Sequence, residues 1–184
     1  MALDILDSEK TKYSRVELKS PTFIEHSFTK GLIPDRISLG TDFYNLSYYK
    51  GEKSDIGIQF PTDGSYLDPE SHTKYKFIDV AKWIQKNTPK GKLLDVGSGP
   101  GHLNYWVTKL GIPLEVYGSD ISEELLNNKN NHNKHYKVSK ATNLDYAPES
   151  FDAVLFSDIL EHLTPDDAII AMKEAYKVLK KGGS

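Results

Sequence analysis

From Lys92 onward the apolar positions fall into two alternating kinds of run. KLLDVGS, LEVYGSD, YKVSK and FDAVLFSD are short and rich in branched or aromatic residues, and they read as strands. The last is apolar on both faces, as suits a central parallel strand. HLNYWVTKL and ISEELLNN carry helical spacing instead, the first closed by Gly111 and Pro113. A final helix starts after Thr164, which can act as its N-cap. Pro165 suits the first position and Asp167 completes a capping box. Ile169, Ile170, Met172, Ala175, Tyr176, Val178 and Leu179 continue its period to a stop at Gly182. Strands alternating with helices predict an α/β fold: a doubly wound parallel sheet with right-handed crossovers, covered on both faces.

The first half follows another pattern. Asp68-Pro-Glu-Ser predicts a helix start, with Phe77, Ile78, Ala81 and Ile84 on one face and an end near Pro89 and Gly91. Residues 33–66 are rich in Tyr, Gly and Pro and predict an irregular cap. We therefore expect a substrate-side cap over residues 1–70 and a core over residues 71–184.

Composition narrows the function classes. The chain has 184 residues, 38 % of them hydrophobic, enough for a buried core. It has no cysteine, which excludes disulfides, thiolate metal sites and thiol nucleophiles. MALDILDSEKTK is charged from its fourth residue and is no signal peptide, and no apolar run has membrane-span length. A cytoplasmic protein without a membrane partner is expected. The net charge is −3, and no basic stripe tracks a phosphate backbone, so nucleic acid is not an expected partner.

The chemistry concentrates in LLDVGSGPGH. Gly97, Gly99 and Gly101 alternate where a strand turns into a helix, exposing backbone N–H groups to a ligand at the carboxyl end of the sheet. A plain tight turn would use fewer glycines. The dinucleotide fingerprint is G-x-G-x-x-G; here the spacing is Asp95-x-Gly97-x-Gly99-x-Gly101. A carboxylate at the loop's mouth repels a pyrophosphate but suits an ammonium or sulfonium group.

At these residues the chain resembles the class I S-adenosylmethionine-dependent methyltransferases, whose first motif is D/E-x-G-x-G-x-G. The resemblance extends over residues 72–183, through LEVYGSDIS, SFDAVLFSDILEHL and LKKGG in the family's order. It implies a Rossmann-like core of which strands one to four are present, with S-adenosyl-L-methionine as cofactor and a small-molecule acceptor. It implies cofactor contacts from Asp95, Gly97, Ser98, Gly99 and Gly101. Asp120 would take the ribose hydroxyls, Ile121 the adenine face, and Ser157 and Asp158 the methionine part. Asp120 read alone suits a helix N-cap nearly as well. Where relatives carry an acid for the adenine amino group, this chain has Lys140, which cannot accept a hydrogen bond. Thr142, Asn143 or the backbone of Ala141 would substitute.

Methyl transfer depends chiefly on alignment, with a base needed only when the acceptor loses a proton. His162 is the candidate base. If residues 158–162 are helical, Asp158 stands one turn below it and can orient the imidazole. Alternatively, Glu161 and His162 only close the local turn. Asp158, Glu161 and His162 lack a second histidine at metal-binding spacing, so no metal is expected. His132 and His135 sit in the polar run NNKNNHNKH, read as a solvated loop. Tyr44, Tyr48, Tyr49 and Tyr66 are candidates for lining an acceptor site. Two rival readings stand beside the methyltransferase: an NAD-dependent oxidoreductase, and a non-catalytic cofactor-binding fragment. The stop at KKGGS leaves FDAVLFSD as an expected edge strand, open to a second copy in a homodimer. It also suggests a truncated chain.

Overall fold

A computed structural model describes residues 67–71 and 73–184. The expected cap, with Tyr44, Tyr48, Tyr49 and Tyr66, lies outside the described residues apart from its last positions.

The described elements run α1 (Lys74–Asn87), β1 (Gly91–Val96), α2 (His102–Lys109), β2 (Leu114–Asp120), β3 (His135–Val138), β4 (Ala153–Phe156) and α3 (Pro165–Val178). The strands form one sheet in the order β3-β2-β1-β4, and all three pairings are parallel. The order reverses beside β1, so the loop after β1 opens at the topological switch point, where open α/β sheets bind ligands.

Strand alternation divides the core in two. On one face Leu93, Val116 and Ala153 pack with Ala81 and Ile84 of α1 and Leu103 and Val107 of α2. On the other, Leu94 and Val96 pack with Phe151, Ala171 and Val178. Asp95 shares the face of Leu93 and therefore lies under α1 and α2.

Four elements depart from the pattern-based expectation. α1 begins at Lys74 rather than at Asp68. The Asp68 carboxylate instead closes a local turn by accepting from Glu70 N–H, while Trp106 Nε1 of α2 donates to Pro69 C=O at 2.8 Å. ISEELLNN makes only a 3-10 turn at Glu123–Leu125. Asparagine side chains beyond it compete for the backbone: Asn128 Oδ1 accepts from Asn130 N–H, and Asn131 Nδ2 donates to Leu125 C=O.

α3 has the predicted cap, Asp167 N–H donating to Thr164 Oγ1 at 3.1 Å with Pro165 at the start. It stops at Val178, because Leu179 turns extended and pairs with Phe151. Only Ala171, Ala175 and Val178 of α3 are buried, whereas Ile169, Ile170, Met172 and Tyr176 are exposed. The small residues bring the helix close to the sheet and turn the bulky ones outward. The free side of β4 is partly taken by the chain itself. Ser184 N–H donates to Asp152 C=O, and Val154 N–H donates to Ser184 C=O. Part of the edge expected to be bare is therefore paired.

Candidate active site

The loop after β1 is held from three sides. From β2, Ser119 C=O accepts from both Gly97 N–H (2.7 Å) and Ser98 N–H (3.0 Å). Gly97 has φ 75°, and a Cβ there would stand 2.8 Å from Ile159 Cδ1, which reaches over from the β4 side. Gly101 has φ 81° at the N-cap of α2, and a Cβ there would meet the backbone of Asn133 at 2.5 Å. Both positions need left-handed backbone and close approach, which only glycine supplies without strain.

Asp120 is built into this loop. It is 7 % exposed; Oδ2 accepts from Gly99 N–H at 2.9 Å and Oδ1 accepts from Ser122 N–H at 3.0 Å. Tyr136 of β3 fixes the same turn by donating to Ser122 C=O at 2.7 Å. Ile121, between them, is half-buried.

Asp95 lies in β1, 3 % exposed, and its Oδ1 has no hydrogen-bond partner among the described residues. Burial, reinforced by the charge of Asp120, pushes its pKa up to about 7, against the pull of Lys76. Lys76 comes from α1 and forms an ion pair with Asp158. Asp158 follows β4 with φ 56°, left-handed backbone that a non-glycine residue adopts uncommonly.

This overturns the expected Asp158–His162 stack. Asp158 is not helical, and only Leu160–His162 form a 3-10 turn, with His162 N–H donating to Ile159 C=O. The carboxylate engages Lys76 instead. Ser157 is half-buried at the end of β4. Thr142 and Asn143 lie in a separate turn after β3, where Asn143 N–H donates to Lys140 C=O. The chain entering that turn is tied to β2, where Ser139 N–H donates to Asp120 C=O.

Three contributors escaped the sequence reading. Asn133 Nδ2 donates to Gly99 C=O at 3.0 Å and His132 N–H to Pro100 C=O at 2.8 Å, so the polar run read as solvated braces the glycine loop. Lys76 sits in KYKF, which reads as a charged helix face. His102, beginning α2, is 5 % exposed with its ring edge-on to Phe77. Burial lowers its pKa to about 4, so it is neutral in the fold.

Residues 94–184 match a family model described as a methyltransferase domain. The second half of the chain is a class I S-adenosylmethionine-dependent methyltransferase domain. S-adenosylmethionine is the cofactor of that family. Two curated relatives are ubiquinone/menaquinone biosynthesis C-methyltransferases. The protein from Rhizobium rhizogenes is 27 % identical over 121 residues, which are 61 % of this chain and 46 % of that protein. The protein from Desulfotalea psychrophila is 30 % identical over 97 residues, 50 % of this chain and 39 % of that one. The chain thus spans less than half the length of these relatives.

Among solved structures, the PH0226 protein of Pyrococcus horikoshii has a TM-score of 0.56 at 28 % identity, covering 65 % of this chain and 59 % of that one. A putative S-adenosylmethionine-dependent methyltransferase of Methanococcus maripaludis shares the fold, with a TM-score of 0.53 at 21 % identity, covering 71 % and 64 %. Among the described residues of this methyltransferase domain, no helix is long and apolar enough to cross a membrane.

The site residues fit the cofactor of the family. A glycine cradle admits close approach, a carboxylate stands at the end of β2, and a buried carboxylate oxygen lacks a partner among the described residues.

Proposed function

We propose that this chain binds S-adenosylmethionine in the glycine loop and serves methyl transfer to a small-molecule acceptor. The observation that carries the reading is the pair of carboxylates at the loop, Asp120 bonded into it and Asp95 buried in β1 with Oδ1 unpartnered among the described residues. In this reading Asp120 accepts the ribose hydroxyls and Ile121 packs on the adenine. The backbone of Gly97, Ser98, Gly99 and Gly101 gives close approach to the ligand. Asp95 takes the ammonium, with Ser157 and Asp158 at the methionine end. Thr142 and Asn143 contribute to the adenine edge, where Lys140 cannot accept a hydrogen bond.

When bound, the cofactor supplies an electrophilic methyl group on a positively charged sulfur. The protein then has to hold the acceptor in line with that group and exclude water. His162 follows β4 and takes a proton from the acceptor where the acceptor must lose one. The curated relatives act in quinone biosynthesis as C-methyltransferases. That supports an activated aromatic carbon as the first acceptor class to assay.

Titration calorimetry with S-adenosylmethionine, S-adenosylhomocysteine and NAD tests the reading. Binding of both sulfur ligands with little affinity for NAD is expected. NAD binding without either sulfur ligand would overturn it in favour of a dehydrogenase.

A further inference from the structure

α1 sends one basic side chain to the carboxyl ends of β1 and β4. Lys76 pairs with Asp158 and lies within the fields of Glu161 and Asp95. These acids arise from separate places, Asp95 in β1 and the other two in the segment after β4. Lys76 is itself half-buried, and burial pushes its pKa down against the pull of Glu161 and Asp95. The cation is partly withdrawn from water here, although a fully exposed position on α1 would have been cheaper.

Two further features mark the same spot. Asp95 keeps Oδ1 buried without a partner among the described residues, a cost that packing alone does not require. Asp158 is held in left-handed backbone, and such conformations collect at ligand-binding sites. Charge arithmetic then indicates what is recognised. The amino-acid end of S-adenosylmethionine carries an ammonium and a carboxylate. Asp95 serves the ammonium, but the carboxylate would face Asp95, Asp158 and Glu161 unless a cation stood among them. Asp120 lies beyond β1 on the β2 side, so a ligand with its ribose there turns its amino-acid end toward β4 and Lys76.

We propose that Lys76 binds the α-carboxylate of the cofactor, making the site selective for ligands that keep their amino-acid end. This rests on the reading that the glycine loop binds S-adenosylmethionine. The held ion pair with Asp158 pre-orients the ammonium, and Asp158 keeps it from collapsing onto Asp95.

The test compares S-adenosylhomocysteine with 5′-methylthioadenosine, which shares the nucleoside and thioether but lacks the amino acid. Calorimetry of the wild-type chain, Lys76→Met, Lys76→Gln and Lys76→Arg with both ligands is the experiment. Both neutral variants should lose at least tenfold in affinity for S-adenosylhomocysteine and change less than twofold for methylthioadenosine. Lys76→Arg should recover most of the loss. Equal losses for both ligands would reduce Lys76 to a structural support and overturn the proposal. Tighter S-adenosylhomocysteine binding in Lys76→Met would make it a plug, and would overturn it too. Unchanged binding of both ligands overturns the inference alone, whereas a wild-type chain that binds neither ligand removes the cofactor reading beneath it.

Discussion

Asp95 and Asp120 sit near the carboxyl ends of adjacent strands and are buried to similar degrees. Their situations are opposite. Asp120 ends its strand and is followed by a turn, so Gly99 N–H and Ser122 N–H are free to point at its two oxygens. Asp95 lies inside a strand paired on both sides, where the neighbouring backbone donors are committed to β2 and β4. Its Oδ1 is left unpartnered among the described residues, and its pKa is pushed up to about 7, first by burial and then by Asp120. The difference separates two tasks. One carboxylate shapes the loop through backbone bonds, while in the proposed reading the other is completed by the ammonium of the ligand.

The largest expected effect breaks the first of these. Asp120→Ala removes an acceptor from two backbone N–H groups, worth roughly 1.5–3 kcal/mol for each bond to a charged group. S-adenosylhomocysteine affinity should fall by a hundredfold or more, and the urea midpoint should fall with it. His162→Ala should leave that affinity within twofold and lower turnover only. Equal losses of binding from the two variants would contradict the roles given to both residues.

Asp95→Asn sharpens the second. The folded pKa lies above the unfolded value near 3.9, so this acid's contribution to stability is complete below about pH 4. It is lost as pH rises to about 7. The variant should therefore be more stable than wild type at pH 8, on the order of 4 kcal/mol, because each tenfold change in proton affinity corresponds to ~1.4 kcal/mol. It should also bind S-adenosylhomocysteine about tenfold more weakly. Urea titrations at pH 5 and pH 8 check the first part; a variant less stable at pH 8 would refute it.

The smallest effect is a cancellation. His102 is shifted the other way, to about 4 from an unfolded value near 6.5. Its contribution is present above pH 6.5 and is lost as pH falls toward 4. Between pH 5 and 6.5 the two slopes oppose each other, so wild-type stability should be nearly flat there. Asp95→Asn should uncover a rise with pH, and His102→Gln a fall. Parallel curves for all three proteins would show that the two groups do not titrate as their burial requires.

The glycine loop and Asp120 were legible because their signals are local. Alternate glycines, an acid two positions before the first, and an apolar run that sets the strand register are all read within a few residues. The Thr164 cap is local in the same way, and it formed as expected. The second helix failed because ISEELLNN has the right period, yet the asparagines that unravel it follow the pattern rather than interrupt it. The exposed stripe of α3 failed for a related reason. Periodicity shows that apolar residues share a face, but not which face the sheet will take, and the alanines took it.

By itself, then, the sequence determined which segments are strands, where the chain must turn on glycine, and which carboxylates stand beside that turn. Dihedral freedom and side-chain alternation are properties of neighbouring residues. Tertiary structure alone decided that Asn133 braces Gly99, that Asp158 meets Lys76 rather than His162, and that Asp95 is left with an oxygen unpartnered among the described residues. Each of these depends on two or more segments remote in sequence being brought within a few ångströms. Burial and charge coupling, which set their energies, exist only once the sheet has ordered its strands.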